Sequence, residues 1–366
     1  MDGASVEGAR VRRRALLIKF GAIGDVVMLI PAAHALFQAG YEIDWVCGRA
    51  VEPVLACYPW IRTIVADDRA ILTGGTAAKM VALVALWRRL AGRKYDLCAT
   101  LYYDERYRML ALPVRAKRKL MLSWTDRERR LLPGRHHTDE YVRILFDEPD
   151  GVKTRSLGPL RAQVLPVSPM PRVAGKKRVV LVPAGAKNML RDDSLRRWPV
   201  ESYAALARVL LQEGMDVVLL GGPGDEWALK AFDGLAVTSA VGKLSLAESV
   251  ALLEDSDVLV THDTGPLHLG GITGVGIVSI FGPTDPRYFH PRRAGTVAIW
   301  GGEGFACRPC YDGRGYPACA ENACVRQVTP ELVLGQVRTM LEERARGIAR
   351  APGVLTPVST VVEERV

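Results

Sequence analysis

An α/β protein with two nucleotide-fold domains facing each other across a cleft is the architecture this sequence predicts. Three observations predict it. β-Branched apolar runs alternate with helix-like stretches along most of the 366 residues, the pattern of parallel sheets covered on both faces. A proline-rich stretch, DEPDGVKTRSLGPLRAQVLPVSPMPRVAGK (148–177), lacks helical periodicity and breaks the alternation once. Each half also carries a glycine-bearing turn that follows an apolar run and opens into a helix: KFGAIGDVVMLIPAAHAL (19–36) and VTHDTGPLHLGGITG (260–274). A helix start presents unpaired N–H groups and the positive end of a dipole, so it suits an anion.

The elements follow in order. Strands are expected at ALLIKFG (15–21), YEIDWVCG (41–48), IRTIVADD (61–68), YDLCATLY (95–102) and RKLMLS (118–123), with helices around 25–38, 50–58, 77–91 and 138–147. Pro31 implies a kink or a late start for the first helix. Residues 1–150 thus form one domain, 151–177 a linker and 178–345 a second domain. In the second domain RVVLVPAGA (178–186) reads as a strand and PVESYAALARVLLQEG (199–214) as a helix opened by Pro199 and closed by Gly214. MDVVLLGG (215–222), DVLVTHD (257–263) and GIVSIFG (276–282) read as strands, and LSLAESVALLEDS (244–256) as a helix with Ser245 and Glu248 spaced as a capping box. A last helix runs from Thr329-Pro330 to about 347. The tail, 346–366, is expected to be loosely held.

Composition bounds the function. The length suffices for two cores, and no apolar run reaches the roughly 20 residues that span a bilayer. The N-terminal basic patch precedes an apolar run interrupted by Lys19 and Asp25, which reads as a buried strand instead of a signal peptide. The net charge is +9, with much of the excess in 106–135. A basic surface can meet nucleic acid, anionic lipid or a phosphorylated substrate, or simply be solvated. Aromatic residues do not alternate with these charges, which argues against nucleic acid. Seven cysteines, an odd count with no export signal, place the protein in a reducing cytoplasm. Cys47, Cys57 and Cys98 lie in apolar stretches as buried thiols.

Ligands of open α/β sheets bind outside the carboxyl ends of the strands. Asp25, Asp263 and the loop 183–198 all fall at that edge. Asp25 is either the N-cap of its helix or a general base for a hydroxyl. Gly21 and Gly24 beside it allow close approach of backbone or ligand. In the second turn Thr264 and Gly265 offer amides, and His268, one turn in, either reaches a phosphate oxygen or packs in the core. Lys187, Arg191, Arg196 and Arg197 surround a place for phosphates, or form a solvated charge run. Asp255-Ser256-Asp257 imitates a metal clamp but precedes its strand, so it belongs at the opposite edge. Cys307-x-x-Cys310, Cys319 and Cys324 lie in a Gly/Pro-rich loop and suit a tetrahedral thiolate site for structural zinc or iron, with free thiols as the alternative.

Together these features resemble glycosyltransferase family 9, the bacterial ADP-heptose heptosyltransferases. The resemblance rests on GDVVMLIPAAHAL (24–36), the RRWP loop (196–199), VLLGGPGDE (218–226) and DTGPLHLGGITGVGIVSIFGPTDPRYFHP (263–291). It implies the GT-B fold, with the donor held mainly by the second domain. By position it implies Asp25 as catalytic base, Thr264, Gly265 and His268 as donor-phosphate contacts, and Asp263 at the head of that motif. Arg196 stands where the family usually has Lys, and Lys187 joins it on the donor side. Asp225-Glu226 is similar to a ribose or sugar contact, so Glu226 joins the donor set. Gly24 and His137 fall on the acceptor side. The cysteine run is similar to the iron site of autotransporter heptosyltransferases. The implied reaction is inverting transfer of a heptose from an ADP-sugar, without catalytic metal, to a lipopolysaccharide-type, protein or other acceptor, with peripheral contact at the inner membrane. The alternatives are a GT-B enzyme using a UDP- or GDP-sugar, and a non-catalytic nucleotide-sugar-binding protein of this fold.

Overall fold

A computed structural model of the protein describes residues 13–149, 156–187 and 191–357. The first sheet contains β1 (Arg13–Ile18), β2 (Tyr41–Gly48), β3 (Ile61–Ala66), β4 (Lys94–Thr100) and β5 (Arg115–Met121), in the order β3-β2-β1-β4-β5. Its helices are α1 (Ile23–Gln38), α2 (Glu52–Leu55), α3 (Asp68–Thr73), α4 (Thr76–Leu90) and α5 (His137–Phe146). The second sheet contains β6 (Arg178–Leu181), β7 (Asp216–Leu219), β8 (Thr238–Ser239), β9 (Val258–His262), β10 (Gly276–Phe281), β11 (Thr296–Trp300) and β12 (Gly353–Leu355), in the order β12-β11-β10-β9-β6-β7-β8. Between and around them lie α6 (Val200–Gln212), α7 (Leu246–Glu254), α8 (Gly265–Gly271), α9 (Pro286–Phe289), α10 (Ala323–Arg326) and α11 (Pro330–Ala345).

Every ladder between these strands is parallel. That follows from β1, β6, β9 and β10 being apolar on both faces, since a strand sandwiched between two helix layers has no side to give to water. The strand order places β1/β4 and β6/β9 at the centre of their sheets. These are the positions where α/β folds reverse direction and bind ligands at the carboxyl ends. The two sheets with helices on their faces form the GT-B architecture.

Several expectations are revised. α1 begins at Ile23 behind Ala22 and runs through Pro31, so the proline neither delays nor ends it. Pro31 is buried with the rest of that face, and packing outweighs the one missing N–H. The helix expected around 50–58 is a single turn. α3 was not anticipated; it is six residues long and capped by Asp67, whose side chain accepts from the Ala70 N–H at 2.9 Å. The tail is in part ordered: Gly353–Leu355 adds a parallel edge strand to β11, while 358–366 lie outside the described residues. The capping box at Ser245 and Glu248 is formed as expected.

Segment 157–163 ties the halves together. Tyr58 donates its hydroxyl to Leu160 O at 2.7 Å, Gln163 N to Cys57 O at 3.1 Å, and Ala162 N to Ile272 O at 3.0 Å. Arg292 adds a bond to Asp139 Oδ2 at 2.7 Å and one to Leu157 O at 2.7 Å. Residues 151–155 of the expected linker, with residue 150 before them, lie outside the described residues.

Candidate active site

The two glycine turns meet. Gly24 of α1 lies against the imidazole of His268 in α8, so close that a Cβ at position 24 would stand 2.7 Å from Cδ2. Gly265, the first residue of α8, faces Ile23 in the same way, with a Cβ there 3.1 Å from Ile23 Cδ1. Glycine at both positions lets the two helix starts approach face to face. The two turns are thus in contact, Gly24 with His268 and Gly265 with Ile23.

Asp25 is not a cap. It sits in the first turn of α1 behind Ala22, and its side chain pairs with Lys19 Nζ at 2.9 Å. Lys19 is itself buried at the end of β1, where it also donates to Leu101 O at 3.2 Å and lies over the Tyr102 ring at 4.7 Å. Burial opposes ionisation of Asp25. The Lys19 ammonium outweighs it, and with His137 and His268 adding, the carboxyl is held below its usual value. Asp25 is thus a carboxylate at neutral pH, and its side chain keeps 36% exposure toward the cleft. Burial in turn pushes the pKa of the His137 imidazole down to about 4 and lowers that of His268.

On the opposite side Thr264 Oγ1 accepts from the Ala186 N–H at 2.8 Å, which ties the turn to the loop after β6. Asp263 is buried; its Oδ2 accepts from Thr284 Oγ1 at 2.8 Å and faces Arg196 at 3.4 Å. Arg196 also pairs with Asp193 at 2.8 Å, and its Nε has no partner. Asp263 therefore holds Arg196 in place. Lys187 is exposed and bridges backbone to backbone with Asp192. Arg197 is turned to Gly185 O at 2.8 Å and Asp192 at 2.6 Å. Glu226 is exposed and accepts from the Gly224 N–H at 2.8 Å, with Gly242 packed beside its carboxylate. α8 has only seven residues, so its dipole is small and Arg196 supplies the larger positive charge.

His137 opens α5 and meets the Phe289 ring of the second domain edge-on at 4.6 Å, with Nδ1 unpartnered. His136 Nε2 bonds His290 O across the same seam at 3.1 Å. The four clustered cysteines line one cavity of about 320 Å³ and are reduced. Among the described residues, no three His, Cys, Asp or Glu are drawn together closely enough to hold a metal ion. Asp255 and Asp257 are bound to Arg178 at the amino ends of the strands, at the edge opposite the cleft as expected.

Residues 83–313, well over half of the chain, match the sequence profile of glycosyltransferase family 9 (heptosyltransferase). The chain belongs to glycosyltransferase family 9. Lipopolysaccharide heptosyltransferase 1 of Pseudomonas aeruginosa is 26% identical over 313 residues, 81% of this chain and 86% of that protein. Lipooligosaccharide heptosyltransferase 2 of Haemophilus influenzae is 28% identical over 155 residues, 40% of this chain but only 43% of that protein. The structure of E. coli heptosyltransferase WaaC with ADP superimposes with a TM-score of 0.67 at 20% identity, covering 89% of this chain and 99% of that one. The protein is thus a glycosyltransferase of the GT-B fold.

Within this family 9 site, four residues escaped sequence reasoning. Lys19 was visible only as an interruption of an apolar run. Thr284 lies inside the FGPTDP segment without a charge to mark it. Tyr311 and Tyr316 belong to the cysteine-rich loop, and they lie within electrostatic reach of Asp25 and Arg191 and of Arg196 and Asp263, respectively. Among the described residues no helix is long and apolar enough to cross a membrane.

Proposed function

We propose that this family 9 enzyme moves a heptose, or a closely related sugar, from an ADP-sugar to an acceptor hydroxyl with inversion at the anomeric carbon. The observation that carries the reading is the ionised Asp25, held by Lys19, on one lip of the cleft, with Arg196 and the Thr264 turn on the other. Asp25 takes the hydroxyl proton as the oxygen attacks. ADP leaves from the opposite face, and its growing negative charge meets Arg196 and the amides of the turn. Heptose as the sugar is supported by the names of the relatives, and ADP by the nucleotide in the WaaC structure. No divalent cation enters this scheme, since the chain's Asp255-Asp257 pair is occupied by Arg178 and Arg172 away from the cleft.

The acceptor side is bounded by Gly24, His137 and the aromatic residues after β4. The relatives' names support a lipopolysaccharide-type acceptor, and a protein hydroxyl is the other chemistry such a base can serve. In 106–135 much of the positive charge is already paired, as in Arg106–Asp104 and Arg108–Glu105. The remainder suits an anionic acceptor or an anionic membrane surface on the cytoplasmic side.

The cysteine quartet fits a structural zinc or iron in composition: Cys307, Cys310, Cys319 and Cys324 line one cavity, and an ion would have to draw them closer together. A bound ion there would pin the loop and take no part in sugar transfer.

The test is a thermal-shift and turnover panel with ADP-heptose, UDP- and GDP-sugars. Stabilisation and ADP release with ADP-heptose alone support the reading. Preference for a uridine or guanosine donor, or binding without turnover against any acceptor, overturns it.

A further inference from the structure

The cysteine-rich loop crosses the cleft. It leaves β11 at Trp300 and is anchored there by Arg308, whose guanidinium lies 3.9 Å over the Trp300 ring and donates to Trp300 O at 3.2 Å. Cys310 N and Tyr311 N then both donate to Pro283 O, at 3.0 and 3.1 Å. Asp312 caps a tight turn by accepting from Arg314 N at 2.7 Å and Gly315 N at 2.8 Å, with Gly313 at φ +92° allowing the reversal. The turn projects Arg314 onto the first domain, where its guanidinium sits 4.5 Å over the ring of Trp124. Trp124 in turn stacks on Tyr103, with centroids 3.8 Å apart and planes 16° from parallel. Tyr103 is fixed by the bond from Leu131 N to its hydroxyl at 2.9 Å and lies within electrostatic reach of Asp25. Back on the loop, Tyr311 packs against Tyr316 at 4.9 Å and toward Phe289 at 6.3 Å. That row continues to His137.

We propose that Arg314 is a positioning residue for the transfer reaction: by stacking on Trp124 it latches the cysteine-rich loop across the cleft and sets Tyr311 at the head of the aromatic row that runs through Phe289 to His137. The inference rests on the glycosyl-transfer reading and adds a part to it. Three independent placements carry it. The loop touches the opposite domain through Arg314, packs Tyr311 against Tyr316 and toward Phe289, and brings these tyrosines within electrostatic reach of Asp25, Arg196 and Asp263. A loop that served only to finish the fold of the second domain would need none of these. A cation on an indole face is held by the ring quadrupole and is retained, more weakly, by lysine. Closure of this mouth also keeps bulk water from the anomeric carbon.

The experiment uses the full-length protein and ADP as probe, with amide exchange of segments 122–131 and 311–316 as the first readout. In the wild type, ADP protects both segments. In Arg314→Ala the loop keeps its protection by ADP, segment 122–131 loses it, and Arg314→Lys restores it. With ADP-heptose as donor, Arg314→Ala and Trp124→Ala each lower transfer kcat about three- to tenfold, the double variant is no worse than either single one, and ADP affinity stays within about twofold. If Arg314→Ala unfolds, Arg314→Gln takes its place. Persistence of ADP protection at 122–131 in the variant, additive losses, or wild-type kcat and KM overturn the latch. A wild type that shows the exchange pattern but turns over no ADP-sugar fails the functional reading and leaves the exchange arms to decide the contact.

Discussion

Gly24 in α1 packs face-on against the imidazole of His268 in α8, so the two domains touch at the place where sugar and diphosphate would part. A methyl group at position 24 would stand 2.7 Å from Cδ2 and 2.8 Å from Nε2 of a buried ring that has little room to swing. Gly24→Ala therefore separates the two helix starts or displaces His268. Overpacking of this kind costs about 1–3 kcal/mol. The expected outcome is a lowered melting temperature and at least a tenfold loss in kcat/KM. Wild-type kinetics with an unchanged melting temperature would show that the seam is not this tight.

Asp25 is the carboxylate aimed into the cleft from the first domain. Asp25→Asn keeps the shape and removes the proton acceptor. General-base catalysis contributes about 10²–10⁴-fold, so kcat should fall by that amount. ADP affinity should change by less than about twofold, because the proposed nucleotide cradle lies on the other domain. Isothermal titration with ADP beside steady-state transfer separates the two effects.

Lys19 gives this base its working range. The ammonium at 2.9 Å holds Asp25 below the usual carboxylate value against the opposing effect of burial. A base works only when unprotonated, so wild-type kcat/KM falls on the acid side only below the ordinary carboxylate range. In Lys19→Met the favourable charge is gone and burial remains, so the pKa of Asp25 rises and the acid limb moves to higher pH. A pH–rate profile of kcat/KM from 4 to 8 measures the shift. An acid limb that stays in place would remove Lys19 from the tuning of the base.

Arg196 stands between the buried Asp263 and Asp193. A charge-assisted bond to a phosphate oxygen is worth about 1.5–3 kcal/mol. Arg196→Ala should weaken ADP binding about ten- to hundredfold. It should also lower stability, because Asp263 then loses a cation while buried. Arg196→Lys keeps a positive charge near Asp263 and should retain most of the affinity, with the bidentate geometry lost. Calorimetry with ADP on both variants, alongside thermal melts, tells phosphate binding from structural support. Equal affinity in Arg196→Ala and wild type would contradict the donor role.

What could be read from sequence was what local pattern encodes. Asp25 and Thr264 each follow a strand at a helix start and Arg196 lies in the loop after β6, and a polar or charged residue at the carboxyl edge of a sheet is recognisable without a partner in view. The strands β1, β6, β9 and β10 announce themselves as short, mostly apolar runs. Contacts between distant residues left no such mark. Arg314 over Trp124 and Gly24 against His268 join positions with no periodic relation to one another. Lys19 was hidden because a buried lysine looks, in sequence, like a defect in a strand. α3 and β12 are too short to build a period, and each depends on neighbours for its existence.

The cysteine quartet supplies the last test, since metal and loop order should rise and fall together. The four thiols share a cavity but no three lie at ligand distance among the described residues, so an ion would have to draw them inward. Protein purified without chelator should contain about one equivalent of zinc or iron, and Cys319→Ser should lower that content to well under half. Cys319 is exposed, so its replacement leaves the core untouched. Removing the metal with a chelator should speed amide exchange throughout 301–322 while the sheet cores keep theirs. The melting temperature should fall only by the few degrees expected for one loosened loop. Less than about half an equivalent in the wild type, or exchange in 301–322 that ignores the chelator, would leave the quartet as free thiols.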